Sequence, residues 1–443
     1  MLKKVLLLVA VLLSSTLLGC TKNETPKTAE KFVLPETDNV VFLVIDTLRA
    51  DHLSFYGYPK ETAPFLASLA NRSVIFEQAI AGCSSTAPSM ASVFTSLLPS
   101  EHGVNTGLIT TQNMSKKLGG AITTNRIPEE LLTIPELMVE KGFQTFGVAD
   151  NLNISQEMGF TQGFSKFRVF RYDGAPQVNR VMQEWEGELK ATGKKFIYLH
   201  YMDPHAPYHR RAPWFQKSDN PKQNVINAYD SEIAYADKHI EELFQKFGWL
   251  ENSLVVFLSD HGEEFWEHGD KGHDKTLYRE VIHVPLMFYH RSLNQRRVRE
   301  AVHTYDVMPT LAELFGHERN AKWRGISLLP YFKSGEPKAR PLISELLRRP
   351  EHVRDAKRSL VHEDMHYIRT FKDTQGVKSQ EVFDWAKDKA EKNNLAEQFE
   401  SRTKELSAVM DETLKSGTAY QTEVDVELDA QGLEHLRSLG YVD

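Results

Sequence analysis

The amino-acid sequence predicts an α/β fold in which a mixed sheet is covered by helices on both faces. Two near-continuous apolar runs, at 39–45 and 253–258, each end on an acidic residue, as buried strands of parallel sheets often do. Predicted strands and helices alternate from Asn39 to about Phe315, which indicates a layered α/β domain. The chain has 443 residues, 41% of them hydrophobic, which is enough for a sizeable core and for more than one ordinary domain.

The elements between these two strands follow from local signals. Thr62 and Pro64 predict the capped start of a helix, and a short strand is expected at 73–76. The next helix is predicted to begin at Thr133 and to stop at Gly142. Two further strands and the buried face of a long helix are predicted at 144–149, at 195–202, and at Ile226, Tyr229, Ile233, Ala236, Ile240 and Leu243.

The N-terminus has the features of a bacterial lipoprotein signal. Two lysines precede an apolar stretch at 5–18, which is shorter than the roughly 20 residues that span a bilayer. Cys20 follows Leu-Leu-Gly in a segment that resembles a lipobox, so residues 1–19 are predicted to be a signal peptide and Cys20 to be lipidated. Residues 20–38 are polar, contain proline and lack periodicity, which predicts a flexible tether.

The mature chain is therefore predicted to be an acidic, lipid-anchored protein of the bacterial cell envelope. Loss of the signal peptide removes two lysines and no acid, so the net charge changes from −7 to about −9, which argues against nonspecific binding of nucleic acid. Thr21 stands where retained inner-membrane lipoproteins often have Asp, and this favours the outer membrane if the cell is Gram-negative. With Cys20 acylated, Cys83 is the only thiol left, so no intrachain disulfide is expected.

Thr86 is the residue whose chemistry bears most on function. Pro88 suits the first turn of a helix, so Thr86 would lie at the N-terminal end of that helix, where free backbone N–H groups attract anions. An oxyanion ester could be attacked by its hydroxyl there. Taken alone, a Thr in this position is most often only a helix N-cap.

Two strand ends change that interpretation. Asp46 follows the first apolar run, and Asp260 and His261 follow the second. Ligands of open α/β sheets bind outside the carboxyl ends of the strands, so these side chains and Thr86 are expected to converge in one crevice. Each acid by itself could instead cap a helix or stabilise a turn.

Ordered segments of the chain resemble the sulfatase branch of the alkaline phosphatase superfamily. They are VIDTLRADH, TAPSMASVFTSLLPSEHGV, HYMDPHAPY, LSDHGEEFWEHG with GHDKTLYREVIHVPL, and LRSLGYV. The resemblance extends from about Asn39 to the C-terminus. It implies an alkaline-phosphatase-like, mostly parallel central sheet in a catalytic domain at 39–335, followed by a small C-terminal α+β subdomain at 336–443.

The resemblance implies one divalent metal ion, with Asp46, Thr86, Asp260 and His261 as its ligands. A Thr hydroxyl is a poor nucleophile at neutral pH, and direct coordination to a divalent cation would stabilise its alkoxide. Three oxygen donors and one imidazole leave calcium, magnesium, manganese and zinc open. Thr47 stands where many relatives have a second Asp ligand.

Two further histidines are assigned catalytic roles by the resemblance. His205 lies where relatives hold the ester oxygens or protonate the leaving group, and His273 lies where relatives place a Lys or His on the same oxyanion. His200 follows a predicted strand to the same edge, and a second metal at His200, His205 or His273 is left open. Arg49 could neutralise developing charge or pair with Asp51 at the surface, and it is not assigned to the catalytic set.

Thr86 also separates this chain from sulfatases with the usual signature. In that signature, a Cys or Ser followed by x-Pro-Ser-Arg is oxidised to formylglycine. Here the Pro88-Ser89 pair puts Thr86 in the modified position and Met90 in the Arg position, and Thr is not converted to formylglycine. Cys83 is followed by Ser-Ser, so it does not begin a displaced signature. Family members with Thr at this position include phosphodiesterases, phosphomutases and envelope transferases of phosphoethanolamine or glycerol phosphate.

The sequence thus predicts a metal-dependent envelope hydrolase that cleaves a phosphate mono- or diester through a covalent intermediate on Thr86. Three alternatives stay open: a sulfuric ester hydrolase that works without formylglycine, a phosphoryl-group transferase, and a catalytically silent lipoprotein that binds an anionic glycan or lipid. The expected partners are an anionic ester substrate and a membrane, through the lipid on Cys20. Nucleic acid is not an expected partner.

Overall fold

The computed structural model describes residues 34–35, 37–118, 122–347, 355–372 and 376–426. Four segments named above lie outside these residues. They are the predicted signal peptide, the predicted lipidation site Cys20, most of the predicted tether and the LRSLGYV segment. Within the described ranges, no helix combines the length and the apolar character needed to cross a bilayer.

The larger domain is built on a mixed, mostly parallel sheet, as predicted. Its strand order is β11-β2-β10-β7-β1-β6-β4-β5, with β12 also paired to β2. Strand β10 runs antiparallel to β2 and β7, and the other pairs are parallel. The described strands are β1 (Asn39–Ile45), β2 (Ser73–Ile80), β3 (Ile122–Asn125), β4 (Gln144–Ala149), β5 (Lys166–Val169), β6 (Lys195–Tyr201), β7 (Ser253–Leu258), β8 (Glu264–Phe265), β9 (Lys271–Gly272), β10 (His283–Tyr289), β11 (Arg296–Val298), β12 (Val302–His303), β13 (Leu342–Leu346), β14 (Lys357–His362), β15 (Met365–Lys372), β16 (Gly376–Asp384) and β17 (Glu423–Val426).

Helices cover both faces of this sheet. Alternate residues of its central strand point in opposite directions, so they pack against different sets of helices. Val40 and Phe42 of β1 pack with α2, α5 and α10, whereas Val41 and Leu43 pack with α1, α6 and α8. The described helices are α1 (Pro64–Ala70), α2 (Thr86–Thr95), α3 (Pro99–His102), α4 (Leu108–Leu118), α5 (Ile134–Glu140), α6 (Ala175–Glu184), α7 (Glu186–Leu189), α8 (Pro221–Phe247), α9 (Arg279–Ile282), α10 (Val307–Leu314) and α11 (Glu400–Lys415).

The predicted cap of α1 is wrong, although the helix itself is present. Thr62 Oγ1 donates to the carbonyl oxygen of His52 at 2.5 Å rather than capping the helix. The free N–H groups of Phe65 and Leu66 instead donate to the carboxylate of Asp237, at 2.8 and 3.0 Å. Asp237 lies on α8, so the cap is supplied by tertiary packing and not by the local sequence.

The C-terminal region forms a second sheet, as the family resemblance implies. Strands β13 to β16 make an antiparallel sheet in chain order, and α11 packs on it through Leu406 and Met410 against Leu360 and Tyr367. Beyond α11, strand β17 returns to the larger domain and pairs antiparallel with β3. The predicted division of the chain at 335 and 336 stays a prediction.

Candidate active site

The carboxyl ends of neighbouring strands bring several polar side chains to one edge of the central sheet. Strand β1 lies between β6 and β7, and β4 lies beyond β6. Asp46 follows β1, Asn151 comes just after β4, His200 is near the end of β6, and Asp260 comes just after β7. This is the edge at which open α/β sheets bind ligands.

Thr86 is the first residue of α2 and faces this edge. The residue before it, Ser85, is the N-cap and makes no side-chain cap hydrogen bond. Thr86 Oγ1 lies 3.3 Å from Asp46 Oδ2, 3.4 Å from His261 Nε2 and 3.3 Å from Asn151 Nδ2. The hydroxyl therefore belongs to a polar cluster and does not serve as a helix cap.

Two aspartates in the cluster each have one carboxylate oxygen without a hydrogen-bond partner. Asp46 Oδ2 accepts from Asn151 Nδ2 at 2.8 Å, and Asp260 Oδ1 accepts from the backbone N–H groups of Thr47 and His261 at 3.2 and 2.9 Å. Asp46 Oδ1 and Asp260 Oδ2 are buried and have no partner among the described residues. Because an uncompensated buried carboxylate is costly and a divalent cation binds oxygen donors of this kind, these residues fit a metal ion.

His261 presents a free imidazole nitrogen to the same point. Its Nδ1 donates to the carbonyl oxygen of Gly262 at 2.9 Å, so the lone pair is on Nε2. That Nε2 lies 3.4 Å from both Thr86 Oγ1 and Asp260 Oδ2. A neutral imidazole held by a carbonyl on its far nitrogen is the usual form of a histidine metal ligand.

His200 is also close, but its hydrogen bonds indicate a different role. Donor atoms of Asp46, His200 and Asp260 all lie within 4.8 Å of one another, so His200 is within reach of the same cation. Its Nε2 is 3.0 Å from Asp46 Oδ2, and its Nδ1 is 2.8 Å from the Tyr198 hydroxyl. The Asp46 carboxylate can only accept, so His200 Nε2 bears the proton and Tyr198 donates to Nδ1. His200 thereby holds Asp46 in place and keeps no lone pair for a metal.

Removal of the Tyr198 hydroxyl should weaken metal binding. We expect Tyr198→Phe to lower the affinity for a divalent cation by about tenfold, because His200 loses the hydrogen bond that holds its ring in place beside Asp46. Calorimetric titration of the metal-free protein would measure this. Tyr201→Phe is the matched control, since Tyr201 is a buried tyrosine of the same strand whose hydroxyl donates to Asn179 instead. Equal metal affinity in the two variants would contradict the assignment.

His273 is held in its charged form beside the cluster. Its ring centre lies 4.5 Å from that of His261, and its Nδ1 is 3.0 Å from Glu263 Oε1. Glu263 is buried, and its other oxygen accepts from the Tyr208 hydroxyl at 2.8 Å. Burial by itself would lower the pKa of His273, but the Glu263 carboxylate raises it to about 9. A positive charge at this position suits an anionic ester.

His205 is neutral, in contrast to His273. Its ring centre lies 4.9 Å from that of His273, and burial together with the positive charge of His273 lowers its pKa. His205 Nδ1 is 2.6 Å from the carbonyl oxygen of Ala206, so Nδ1 bears the proton, and the Tyr172 hydroxyl lies 2.8 Å from Nδ1 and 3.4 Å from Nε2. Tyr172 has a left-handed backbone, with φ of 55°, a strained conformation that is common at functional sites.

Two residues near Asp46 differ in how they relate to the site. Thr47 has a left-handed backbone with φ of 56°, donates its N–H to Asp260, and has a buried Oγ1 without a partner among the described residues. Arg49 points away and pairs with Asp51 at 2.8 Å and with Glu267 at 2.5 Å. Arg49 therefore takes the structural role that the sequence left open.

Sequence reasoning missed two residues of this site. Asn151 contacts both Asp46 and Thr86, and it follows a predicted strand, so the rule that found Asp46 and Asp260 would also have found it. Tyr172 had no comparable signal, because its contact with His205 depends on how two loops pack. The structure does bring together every predicted site residue, although their roles as ligands and catalysts stay predictions.

Comparison with known proteins identifies the family of this chain. The Sulfatase family model matches residues 38–317, which is more than half of the chain. The chain is 22% identical to the Ulvan-active sulfatase of Formosa agariphila over 383 residues, covering 75% of this chain and 71% of that protein. It is 27% identical to the phosphatidylethanolamine transferase Mcr-2 of Escherichia coli over 305 residues, covering 62% of this chain and 53% of the transferase, so it spans about half the length of that relative.

A solved structure extends the likeness to the whole fold. The phosphonate monoester hydrolase of Agrobacterium radiobacter superposes with a TM-score of 0.67 at 16% identity, covering 89% of this chain and 99% of that chain. Members of this superfamily bind a divalent metal, and Asp46 and Asp260, beside His200, offer a possible site for one. On the evidence of the matched domain and the shared fold, the chain belongs to the sulfatase family, a group of enzymes within the alkaline phosphatase superfamily.

Proposed function

We propose that this chain is a metal-dependent hydrolase that cleaves a phosphate mono- or diester, with Thr86 as the nucleophile. The observation behind this proposal is the Thr86 hydroxyl, which lies within 3.4 Å of Asp46, Asn151 and His261 at the start of α2. An unmodified hydroxyl can form a covalent phosphothreonine that water or an alcohol resolves by in-line attack. The named transferase relative and the phosphonate hydrolase fold support phosphorus chemistry.

The metal would be held by Asp46, Asp260, His261 and Thr86. When bound there, a divalent cation would stabilise Thr86 as its alkoxide, whose proton passes to solvent. Thr86 Oγ1 then attacks the phosphorus atom, and its new bond forms as the bond to the leaving alcohol breaks. Asn151 Nδ2, 3.3 Å from Oγ1, positions the nucleophile for this attack.

In this proposal the proton transfers follow from the charge states of His205 and His273. Protonated His273 gives its proton to the leaving oxygen, and neutral His273 later takes one from the water that attacks phospho-Thr86. That second attack breaks the bond between Oγ1 and phosphorus and releases phosphate, which restores Thr86. Neutral His205 does not act as the acid, which is one of the two roles that the family resemblance implies for it.

Mass spectrometry of the peptide that contains Thr86 tests the proposal. Purified protein would be screened with divalent metals on aryl phosphate monoesters, phosphodiesters and aryl sulfates, and then quenched during turnover. We expect phosphate ester cleavage and a phosphoryl adduct on Thr86, identified with radiolabelled substrate because phosphate and sulfate adducts have nearly equal mass. Turnover of aryl sulfates alone, with a sulfated Thr86, would overturn it.

Three other functions are outcomes of the same experiment. Sulfate ester hydrolysis by an unmodified hydroxyl is favoured by the family match and by the named sulfatase relative. Transfer to an acceptor alcohol would appear as a phosphorylated product of that alcohol in place of free phosphate. A silent binding protein would show neither turnover nor an adduct.

Glu263 should set the alkaline limit of the reaction. The pKa of His273 is raised to about 9, so its acid form persists up to that pH and activity should fall as the pH rises through it. In Glu263→Gln the raising charge is lost and burial lowers the pKa, so the alkaline fall of kcat/KM should move down by about one pH unit or more. Both proteins would be measured with the same metal.

Glu264→Gln is the control for this shift. Glu264 Oε1 accepts from the backbone N–H groups of His268 and Asp270, at 3.0 and 2.9 Å, and Glu264 makes no hydrogen bond or ion pair with His273. Its pH profile should match that of the wild type. A Glu263→Gln profile with an unmoved alkaline limb would show that His273 is not the acid.

We propose that the enzyme is attached to the cell envelope by a lipid on Cys20. The lipobox-like segment before Cys20 supports this, and the polar residues at 20–38 would hold the catalytic domain away from the bilayer. In cells, Cys20→Ala should abolish incorporation of labelled fatty acid and release the protein from the membrane fraction. Labelling that persists in this variant would contradict the proposal.

A further inference from the structure

A cavity of about 540 Å³ opens beside the Thr86 cluster, a size typical of ligand pockets. His205 and Met202 line it; Met202 contacts Asn151 of the cluster, and the His205 ring lies 4.9 Å from the ring centre of His273. Met202 Sδ lies 3.3 Å from Asn151 Nδ2, and the same amide nitrogen lies 3.3 Å from Thr86 Oγ1. The cavity therefore begins at Met202, whose neighbour Asn151 contacts the nucleophile.

Lys271 lines this cavity and supplies a positive charge that is not paired with a carboxylate of the described residues. Its ammonium group lies 5.7 Å from the ring centre of Tyr208, and it has no carboxylate within 4.0 Å among the described residues. The other cation of the lining, Arg211, is already paired with buried Glu232 at 2.7 Å. Lys271 also lies two positions before the charged His273 in the chain.

Two carboxyl groups in the lining do little to cancel this charge. Asp150 accepts from the backbone N–H groups of Asp173 and Gly174, at 2.8 Å each, and Asp203 accepts from that of Ala175 at 3.2 Å. Burial raises the pKa of Asp150 to about 7 and that of Asp203 to about 6, so both are partly protonated near neutral pH. Three of their four oxygens hold the turn that leads into α6, and Asp203 Oδ2 is buried without a hydrogen-bond partner among the described residues.

The rest of the lining is largely apolar. Tyr172, Met202, Ala206 and Pro207 contribute ring and aliphatic surface between the nucleophile and Lys271. Such a wall accepts a ring or carbon skeleton, whereas an inorganic phosphate would leave most of it uncovered.

We infer that this cavity binds the alcohol portion of the ester, and that this alcohol has a second anionic group, such as a carboxylate, which Lys271 recognises. The inference rests on the proposed ester hydrolysis at Thr86 and names the class of substrate for it. Lys271 acts on binding and not on bond cleavage, so it is a specificity-determining residue.

Binding of inert substrate analogues tests this inference without requiring turnover. Phenylphosphonate and 4-carboxyphenylphosphonate, together with the matching sulfonates, would be titrated calorimetrically into the metal-loaded protein. We expect the carboxylated compound of at least one pair to bind about fivefold more tightly, and the preference to shrink at high salt. Lys271→Gln should abolish the preference while leaving the affinity for the compound without a carboxylate unchanged.

Lys222→Gln is the matched control, because Lys222 also lies over an aromatic ring, 5.0 Å from the centre of Trp266, but outside the cavity. It should keep the preference. Equal binding of both compounds by the wild type, a preference that persists in Lys271→Gln, or no binding of any analogue would each overturn the inference. A preference without hydrolysis of any ester would overturn only the proposed function.

Discussion

Thr86→Ala should lose nearly all ester hydrolysis, with kcat/KM at least about 1,000-fold lower than in the wild type. The substitution removes the oxygen that lies between Asp46 and His261 and replaces it with a methyl group that cannot form a covalent intermediate. Thr86→Ser keeps the hydroxyl and should retain measurable turnover. Steady-state rates with the best phosphate ester from the metal screen would measure both.

The fold should tolerate this change, since Thr86 makes no cap hydrogen bond at the start of α2. Thr95→Ala is the control, because Thr95 is a buried threonine of the same helix whose hydroxyl donates to the carbonyl oxygen of Ala91 at 2.7 Å. It should keep full activity at a small cost in stability. Thr86→Ala with more than about a tenth of the wild-type rate would rule out a covalent role for Thr86.

Asp260→Asn should abolish metal-dependent activity and, without metal, make the protein more stable. Among the described residues, Asp260 Oδ2 is buried without a hydrogen-bond partner, so an isosteric amide removes an uncompensated charge and keeps the acceptor for the N–H groups of Thr47 and His261. We expect the Tm of the metal-free variant to exceed that of the metal-free wild type by roughly 2 °C. Its loss of activity should be of the order of 1,000-fold.

Addition of metal separates this explanation from simple damage to the fold. A cation at 100 times its Kd stabilises the wild type by about 2.7 kcal/mol, which thermal unfolding would detect, and Asp260→Asn should lose most of that gain. Asp237→Asn is the control, because Asp237 is also buried and accepts two backbone N–H groups, but at the start of α1. A full metal-induced stabilisation in Asp260→Asn would contradict its assignment as a ligand.

Local patterns were sufficient for the frame of the fold. Apolar runs that end on Asp46 and Asp260 predicted two strands that prove to be parallel neighbours, paired from Asn39 with Ser253 onwards. Burial on both faces makes such strands continuously apolar, and this is visible without any structure. Pro88 likewise placed the start of α2 correctly, since proline is tolerated only in the first turn of a helix.

Contacts between distant segments were beyond these patterns. The prediction that Thr62 caps α1 was wrong, because Asp237, 172 positions from Phe65 in the sequence, accepts the hydrogen bond of the Phe65 N–H group instead. Asn151 was overlooked although it obeys the strand-end rule, since an amide is a less conspicuous signal than an acid or an imidazole. Its position becomes evident only when β4 is seen two places from β1 in the sheet.

The sequence by itself determined the α/β class, the resemblance to the sulfatase family and the presence of Thr in place of a residue that becomes formylglycine. These depend on residue type, spacing and order along the chain. Only the tertiary structure decided that His261 has a free nitrogen while His200 is a donor, and that His273 is charged while His205 is neutral. Those properties arise from hydrogen bonds and buried charges, such as Glu263 beside His273, whose distances are set by folding.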